Sequence, residues 1–260
     1  MDIKTISLGA EGDKFPMLDS IWDFFSSKGS KTVFVSVGSS PSPLPELEIG
    51  EMLGCKLHLF EPKPAAQQEW EAIKDVLKTR KAGSESSDFV KAALKKWILP
   101  RNIHLDSSMP FLYPGELLIN GEKVVTSSFR EKVEAISETL GFTKDEAHID
   151  LLKIDLPGKE HLVLSSVIEA RFRPSLLVVR WTHMPDEHLN TMLTAAHLQT
   201  LGYRLLAKEG SKFLYYYNDT NYYESCSWEV VGPANPLISV ITKAFLPGKR
   251  EEVLKCSELE

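Results

Sequence analysis

Thr32 to Val37 (TVFVSV) is a β-branched run that stops at Gly38 and continues into Ser39-Ser40-Pro41-Ser42. Lys56 to Phe60 (KLHLF) is a second such run, stopped by Glu61-Pro62. Gly38 allows backbone to approach a ligand closely, and Ser39 and Ser40 offer amide and hydroxyl donors ahead of the next helix. Glu61 follows Gly38 by 23 positions, close to the spacing at which an acid closing a second strand accepts hydrogen bonds from a ribose diol. A solvated turn before Pro62 is the plainer reading of the same glutamate. Asp106, Asp155 and His183 stand after three further apolar runs, so each predicted strand ends on a polar group. In a parallel sheet those ends are where ligands sit.

The elements that must carry these residues are legible as periodicity. Pro45 to Gly54 carries Leu47, Ile49 and Leu53 between a proline and a glycine and predicts a helix, so the order is strand, helix, strand with a right-handed crossover. Helical spacing recurs at Trp70, Ile73 and Leu77, at Val90, Ala93, Leu94 and Trp97, and at Phe129, Val133, Ile136 and Leu140. Further strands are predicted at 103–105, at Leu151 to Leu156 (LLKIDL) and at Ser175 to Trp181 (SLLVVRW), the last two joined by a segment with Val163, Leu164 and Val167 facing inward. A helix over 186–201 leads to a hairpin of Tyr203 to Ala207 and Lys212 to Tyr217 about the turn Lys208-Glu209-Gly210-Ser211. The expectation is one α/β domain: a mainly parallel sheet ending in an antiparallel pair, with helices on both faces. Ser107 to Ser128, with Pro110, Pro114, Gly115 and Gly121, reads as turns, and Gly83 to Asp88 as a mobile loop.

Composition bounds the function. The chain has 260 residues, 43% hydrophobic and 25% charged, ordinary for a soluble globular protein with one sizeable core. A formal net charge of -6 argues against a nucleic-acid footprint, and no apolar run is long enough to span a membrane. The start Met1-Asp2-Ile3-Lys4 has no secretory pattern, so a cytoplasmic location is expected. Cys55, Cys226 and Cys256 are too scattered for a disulfide framework or a metal motif. A small-molecule ligand fits these bounds.

LHLFEPKP (Leu57 to Pro64) and IDLLKIDLPGKEHLVL (Ile149 to Leu164) resemble the two most recognisable motifs of FkbM-type methyltransferases. The resemblance continues through Arg173-Pro174, Trp181 and Gly202-Tyr203 and covers roughly Thr32 to Tyr217. It implies a class I methyltransferase fold, Rossmann-like with a seven-stranded sheet, and S-adenosylmethionine as cofactor. It further implies methylation of a hydroxyl, on a sugar or another polyhydroxylated small molecule. Such transfer needs mainly geometry and deprotonation: orientation supplies about 7–11 kcal/mol, and a general base roughly a hundredfold to ten-thousandfold.

On that reading His183 is the first candidate base, since imidazole titrates near neutrality, and Asp155 the second, with orientation of the acceptor or of the sulfonium end as its other role. A hydrogen-bonded loop histidine and a helix cap are the bland alternatives for the two. Ser36, Gly38, Ser39 and Glu61 would contact the cofactor. Asp106 would bind the adenine amino group or simply form a turn before Ser107-Ser108. Lys153, in a buried strand between Leu152 and Ile154, is expected to pair with a carboxylate. Asn221 to Trp228 (NYYESCSW) would cover the site or pack as an edge, and Pro236 to Leu246 would dock on the domain or make a homodimer contact.

The chain departs from the family pattern where the cofactor would lie. Ser36 replaces an acid after the first strand, Gly38 is the one glycine of that loop, Pro157 replaces an acid before Gly158, and Trp181 stands where an acid often precedes His183. These departures keep a second class in view: a relative that retains the fold as an interaction module without cofactor. A nicotinamide oxidoreductase has only Gly38 and Glu61 in its favour and lacks GxGxxG.

Overall fold

The structure is a computed structural model that describes residues 4–9, 13–39, 44–79, 103–119, 121–182 and 188–218. Its centre is a seven-stranded mixed sheet. In chain order the strands are β3 (Phe34–Val37), β4 (Leu57–Phe60), β5 (Ile103–Asp106), β9 (Leu151–Ile154), β10 (Leu176–Arg180), β11 (Tyr203–Glu209) and β12 (Lys212–Tyr217). In space the order is β11-β12-β10-β9-β3-β4-β5. Six strands point in one direction, β11 among them, and β12 is antiparallel to both its neighbours, β10 and β11. Successive strands step one way from β3 to β5 and the other way from β9 to β10. The β3–β9 boundary is therefore the switch point, where loops part and a crevice can open.

Strands with apolar side chains on both faces need helices on both. On one face Phe34, Leu57, Leu59, Leu151, Leu176 and Val178 pack under α1 (Ile21–Phe25), α2 (Leu44–Leu53) and α3 (Pro64–Thr79). On the other, Val35, Val37, Phe60, Leu152, Ile154, Leu177 and Val179 pack under α4 (Phe129–Thr139), α5 (Glu160–Glu169) and α6 (His188–Thr200). Of the apolar positions predicted for these helices, Leu47, Ile49, Leu53, Trp70, Ile73, Leu77, Phe129, Val133, Ile136, Val163, Leu164 and Val167 are buried, while Leu140, at the C-cap of α4, is only partly so. Ser128 caps α4 by accepting from Glu131 N–H at 3.3 Å.

Two regions differ from the sequence reading. Ser107 to Ser128, expected as turns, makes a three-stranded sheet of β6 (Met109–Phe111), β7 (Gly115–Ile119) and β8 (Glu122–Ser128), ordered β6-β8-β7. Its prolines and glycines lie at the ends and within very short strands, so turn chemistry masked pairing that forms only through tertiary contact. At the N-terminus, β1 (Thr5–Leu8) and β2 (Phe15–Leu18) form an antiparallel hairpin. Pro16 in a four-residue run concealed β2, yet Phe15 and Met17 are fully buried against the α1–α2–α3 face. The predicted helix around Val90 to Trp97, the Gly83 to Asp88 loop, and the segments after Asn218 lie outside the described residues.

Candidate active site

Side chains alternate across a strand, and that period decides where polar groups point. Ser36, Lys153 and Arg180 share the face of Phe34, Leu151 and Val178, with Ser36 and Val178 both paired in register to Lys153. Ser36 is completely buried, its hydroxyl 3.4 Å from the Gly38 carbonyl oxygen to which it donates. Lys153, as its flanking residues predicted, points opposite to Leu152 and Ile154 and meets carboxylates: Glu46 Oε1 at 2.5 Å from the first turn of α2, and Asp155 Oδ2 at 3.5 Å.

Gly38 ends β3 with φ +70°, its N–H donating to Phe60 O at 2.8 Å. A Cβ there would collide with the carbonyl oxygen of Asp155. The glycine is therefore required by backbone packing across the switch point as well as by its left-handed conformation.

Glu61 follows β4 and is fully buried. Its Oε2 accepts from Ser39 Oγ at 2.5 Å and its Oε1 from Lys63 N–H at 2.9 Å, while Gln67 donates to its carbonyl at 2.7 Å. Burial raises the Glu61 carboxyl above its ordinary range, against the lowering by these hydrogen bonds. A carboxylate that accepts from a hydroxyl and from backbone amides can also accept from a diol in exchange for the hydroxyl. Asp106, at the end of β5, accepts from Ser108 N–H at 2.9 Å and Ser108 Oγ at 2.7 Å and pairs with Lys132 at 2.6 Å. Burial would raise Asp106, but the bonds from Lys132 and Ser108 together outweigh it and hold the carboxyl low.

The β9–β10 side is filled with charge. Asp155, 1% exposed, lies between Lys153 and Arg180, whose Nε is 3.3 Å from its Oδ1. Arg180 also pairs with Asp13 of the N-terminal hairpin, and Lys212 reaches the same Asp13 oxygen at 2.6 Å. Phe15 lies beneath all three cations, its ring centre 4.3 Å from Lys153 Nζ, 4.3 Å from Lys212 Nζ and 5.2 Å from the Arg180 guanidinium carbon. Burial raises the Glu46 carboxyl despite Lys153. Glu160, opening α5, is fully buried; its Oε1 accepts from Thr182 N–H at 3.0 Å, its Oε2 has no hydrogen-bond partner among the described residues, and burial raises its carboxyl.

The fold thus brings Gly38, Ser39 and Glu61 into contact and sets Asp155 against Gly38, while Asp106 stands one strand away, its carbonyl accepting from Glu61 N–H at 2.9 Å. His183 lies outside the described residues. Reasoning from residue types missed Glu160, although it sits in the quoted LPGKEHL stretch as an acid opening a helix after glycine. It also missed Asp13 and Phe15, for which no local signal exists. Among the described residues, no group of three or more His, Cys, Asp or Glu is placed to hold a metal ion, and no helix is long and apolar enough to cross a membrane.

The chain is an α/β protein with a doubly wound mixed sheet and polar strand ends at its switch point, and comparison with known proteins narrows the class. The methyltransferase FkbM domain matches residues 43–205, more than half of the 260, and the chain belongs to that family. No curated protein matches the sequence. Among solved structures, a point mutant of MtNAS in complex with S-adenosylmethionine is 10% identical over 76% of this chain and 60% of that one, with a TM-score of 0.29. MtNAS in complex with MTA and tNA gives 10% identity, 76% and 59% coverage and a TM-score of 0.29. The chain spans about 60% of the length of these solved chains.

Proposed function

We propose that the chain is an S-adenosylmethionine-dependent O-methyltransferase acting on a hydroxyl of a sugar or other polyhydroxylated small molecule. The observation that carries this is a fully buried carboxylate, Glu61, closing the strand beside the switch point and held against Gly38-Ser39, in a member of the FkbM family. The donor set suits the nucleoside end of an adenosyl cofactor. Glu61 would accept from the ribose hydroxyls in exchange for Ser39, with Gly38 and Ser36 shaping the loop beneath, and Asp106 would lie toward the base. The cofactor supplies an electrophilic methyl carbon. Asp155, held on both sides by Lys153 and Arg180, is fixed in place, which suits orientation of the acceptor. His183 remains the candidate base, because it follows β10 and an imidazole can take a proton near neutral pH.

Thermal unfolding with S-adenosylhomocysteine tests the reading. Ligand at about a hundred times its dissociation constant adds about 2.7 kcal/mol, a Tm rise of roughly 5–10 °C. Glu61→Ala should lose most of that rise, and His183→Ala should keep it while turnover falls.

A second reading, an interaction module without cofactor, is favoured by one observation: Asp13, Phe15 and Glu46 fill the β9–β10 edge with the chain's own ion pairs and ring contacts. Absence of any shift with S-adenosylhomocysteine, in the wild type as in Glu61→Ala, selects it.

A further inference from the structure

His58 on β4 and His104 on β5 stand opposite each other in the parallel register of the two strands, and side chains so paired share one face of the sheet. It is the face of Val35, which pairs with His58 from β3. The two rings are 5.5 Å apart between centres, at 60° to each other. His58 is 5% exposed, and neither of its ring nitrogens has a hydrogen-bond partner among the described residues. Leaving both nitrogens of a buried imidazole unmatched costs free energy and calls for a ligand or a function. His104 is exposed and lies on the edge strand of the seven, so one side of the pair is open to solvent. Neither residue belongs to the groups assigned above to the cofactor or the acceptor.

We propose that His58 and His104 together form a two-imidazole site for a divalent transition-metal ion such as zinc or copper, at the β5 edge of the sheet. The spacing carries the assignment. An ion about 2.0–2.1 Å from each ligating nitrogen lies roughly 3.2 Å from each ring centre, so two rings at a tetrahedral angle have centres roughly 5.2 Å apart. The pair already stands close to that separation. The ladder fixes it, because neighbouring strands are held about 4.8 Å apart. Imidazole nitrogen suits zinc, copper and nickel, whereas magnesium and calcium take oxygen ligands. Burial, with smaller contributions from His104 and Lys56, lowers the His58 pKa to about 4, so at pH 7 the ring is neutral and a lone pair is available to ligate. The open side at His104 leaves the remaining coordination positions to water. Two protein ligands are fewer than the three or four of a resident zinc centre, so the ion exchanges readily and is read by titration. Bound there, it ties the edge strand to its neighbour.

The test titrates the full chain, stripped with EDTA and desalted, with Cu2+, Zn2+ and Mg2+. At one equivalent of Cu2+ the wild type should give an electron paramagnetic resonance spectrum split by two nitrogen ligands, and His104→Ala a spectrum with fewer. Calorimetric Cu2+ affinity should fall at least about tenfold in His104→Ala, the least that losing a group which merely orients a metal ligand costs. It should be unchanged in His197→Ala, which removes an exposed histidine of α6. Zn2+ at about ten times its dissociation constant should raise the wild-type Tm by roughly 3–5 °C and that of His104→Ala by less than about 1 °C, while Mg2+ moves neither. His104 is exposed, so its replacement keeps the fold and the result does not depend on whether a His58 variant folds. His58→Phe, where folded, should behave as His104→Ala does. Fewer than two nitrogens on the wild-type copper, equal Zn2+ shifts in wild type and His104→Ala, an equal loss of affinity in His197→Ala, or two-nitrogen binding by folded His58→Phe would overturn the site.

Discussion

The two halves of the sheet's C-terminal edge solve the burial of acids in opposite ways. On the β3–β4 side, Glu61 is held by neutral donors, the Ser39 hydroxyl and the Lys63 amide, and its carboxyl is raised by burial. On the β9–β10 side, Asp155, Glu46 and Asp13 are compensated by full positive charges, with Phe15 closing the floor. Neutral donors can be exchanged for a ligand's hydroxyls at little electrostatic cost, whereas a buried ion pair loses several kcal/mol if one partner leaves. The first half is therefore built for exchange and the second for fixity.

The charge-held side depends most on Lys153. Lys153→Met should cost about 3–5 kcal/mol, because Glu46 and Asp155 lose their shared cation, and the loss should shrink at acid pH as Glu46 takes a proton. Urea unfolding at pH 7 and pH 5 measures both, and a loss that does not depend on pH would deny that the β9–β10 side is held by charge.

On the β4 side a second, independent acid sensitivity should appear. His58 is buried beside His104, neither of its ring nitrogens has a hydrogen-bond partner among the described residues, and burial pushes its pKa down to about 4. The folded pKa lies below the unfolded value, so its contribution is intact above about pH 6.5 and is lost as pH falls toward 4, on the order of 3 kcal/mol in all. The stability difference between wild type and His58→Phe, followed from pH 7 to 4, should carry that slope; parallel profiles would remove His58 as its source.

At the seam between the halves, Gly38→Ala must place a side chain at φ +70° against the Asp155 carbonyl. Strain of this kind costs about 1–3 kcal/mol, and a drop in Tm with weaker S-adenosylhomocysteine binding is expected. An unchanged Tm would mean that the strands part there freely.

The smallest effect belongs to Glu61→Gln. A carboxyl raised by burial favours the folded state below its unfolded pKa, and that advantage is lost as pH rises through the folded value. Replacing it by a neutral amide should therefore leave stability at pH 7 equal or slightly higher, while the stabilisation by S-adenosylhomocysteine falls. Calorimetry with and without ligand separates the two, and a clear loss of intrinsic stability would make Glu61 a structural residue.

Much of the scaffold was legible because its periodicity is local. TVFVSV, KLHLF, LLKIDL and SLLVVRW announce four central strands, and Leu47, Trp70, Val133 and Val163 mark the helices that cover them. Lys153 was legible as a residue in need of an acid, since a lysine inside a buried strand has few other options. Its partner was not: Glu46 lies 107 positions away in a helix that also carries Glu48 and Glu51, and the sequence does not say which acid faces the lysine. The β6–β8 sheet and the N-terminal hairpin escaped because β1, β2, β6 and β7 run only three to five residues, proline or glycine interrupts β2, β6 and β7, and β8 (EKVVTSS) shows no clean apolar–polar alternation.

The order of residues alone determined the family, the strand–helix alternation and the acid that closes β4, because each is written in a contiguous run of a few residues. Only the tertiary structure decided that Ser39 covers Glu61, that Gly38 is pressed against Asp155, and that Asp13 and Phe15 close over three cations. Those facts depend on which strands become neighbours and which face each side chain takes. Neighbourhood across a switch point joins segments more than a hundred residues apart, a separation at which no local pattern survives.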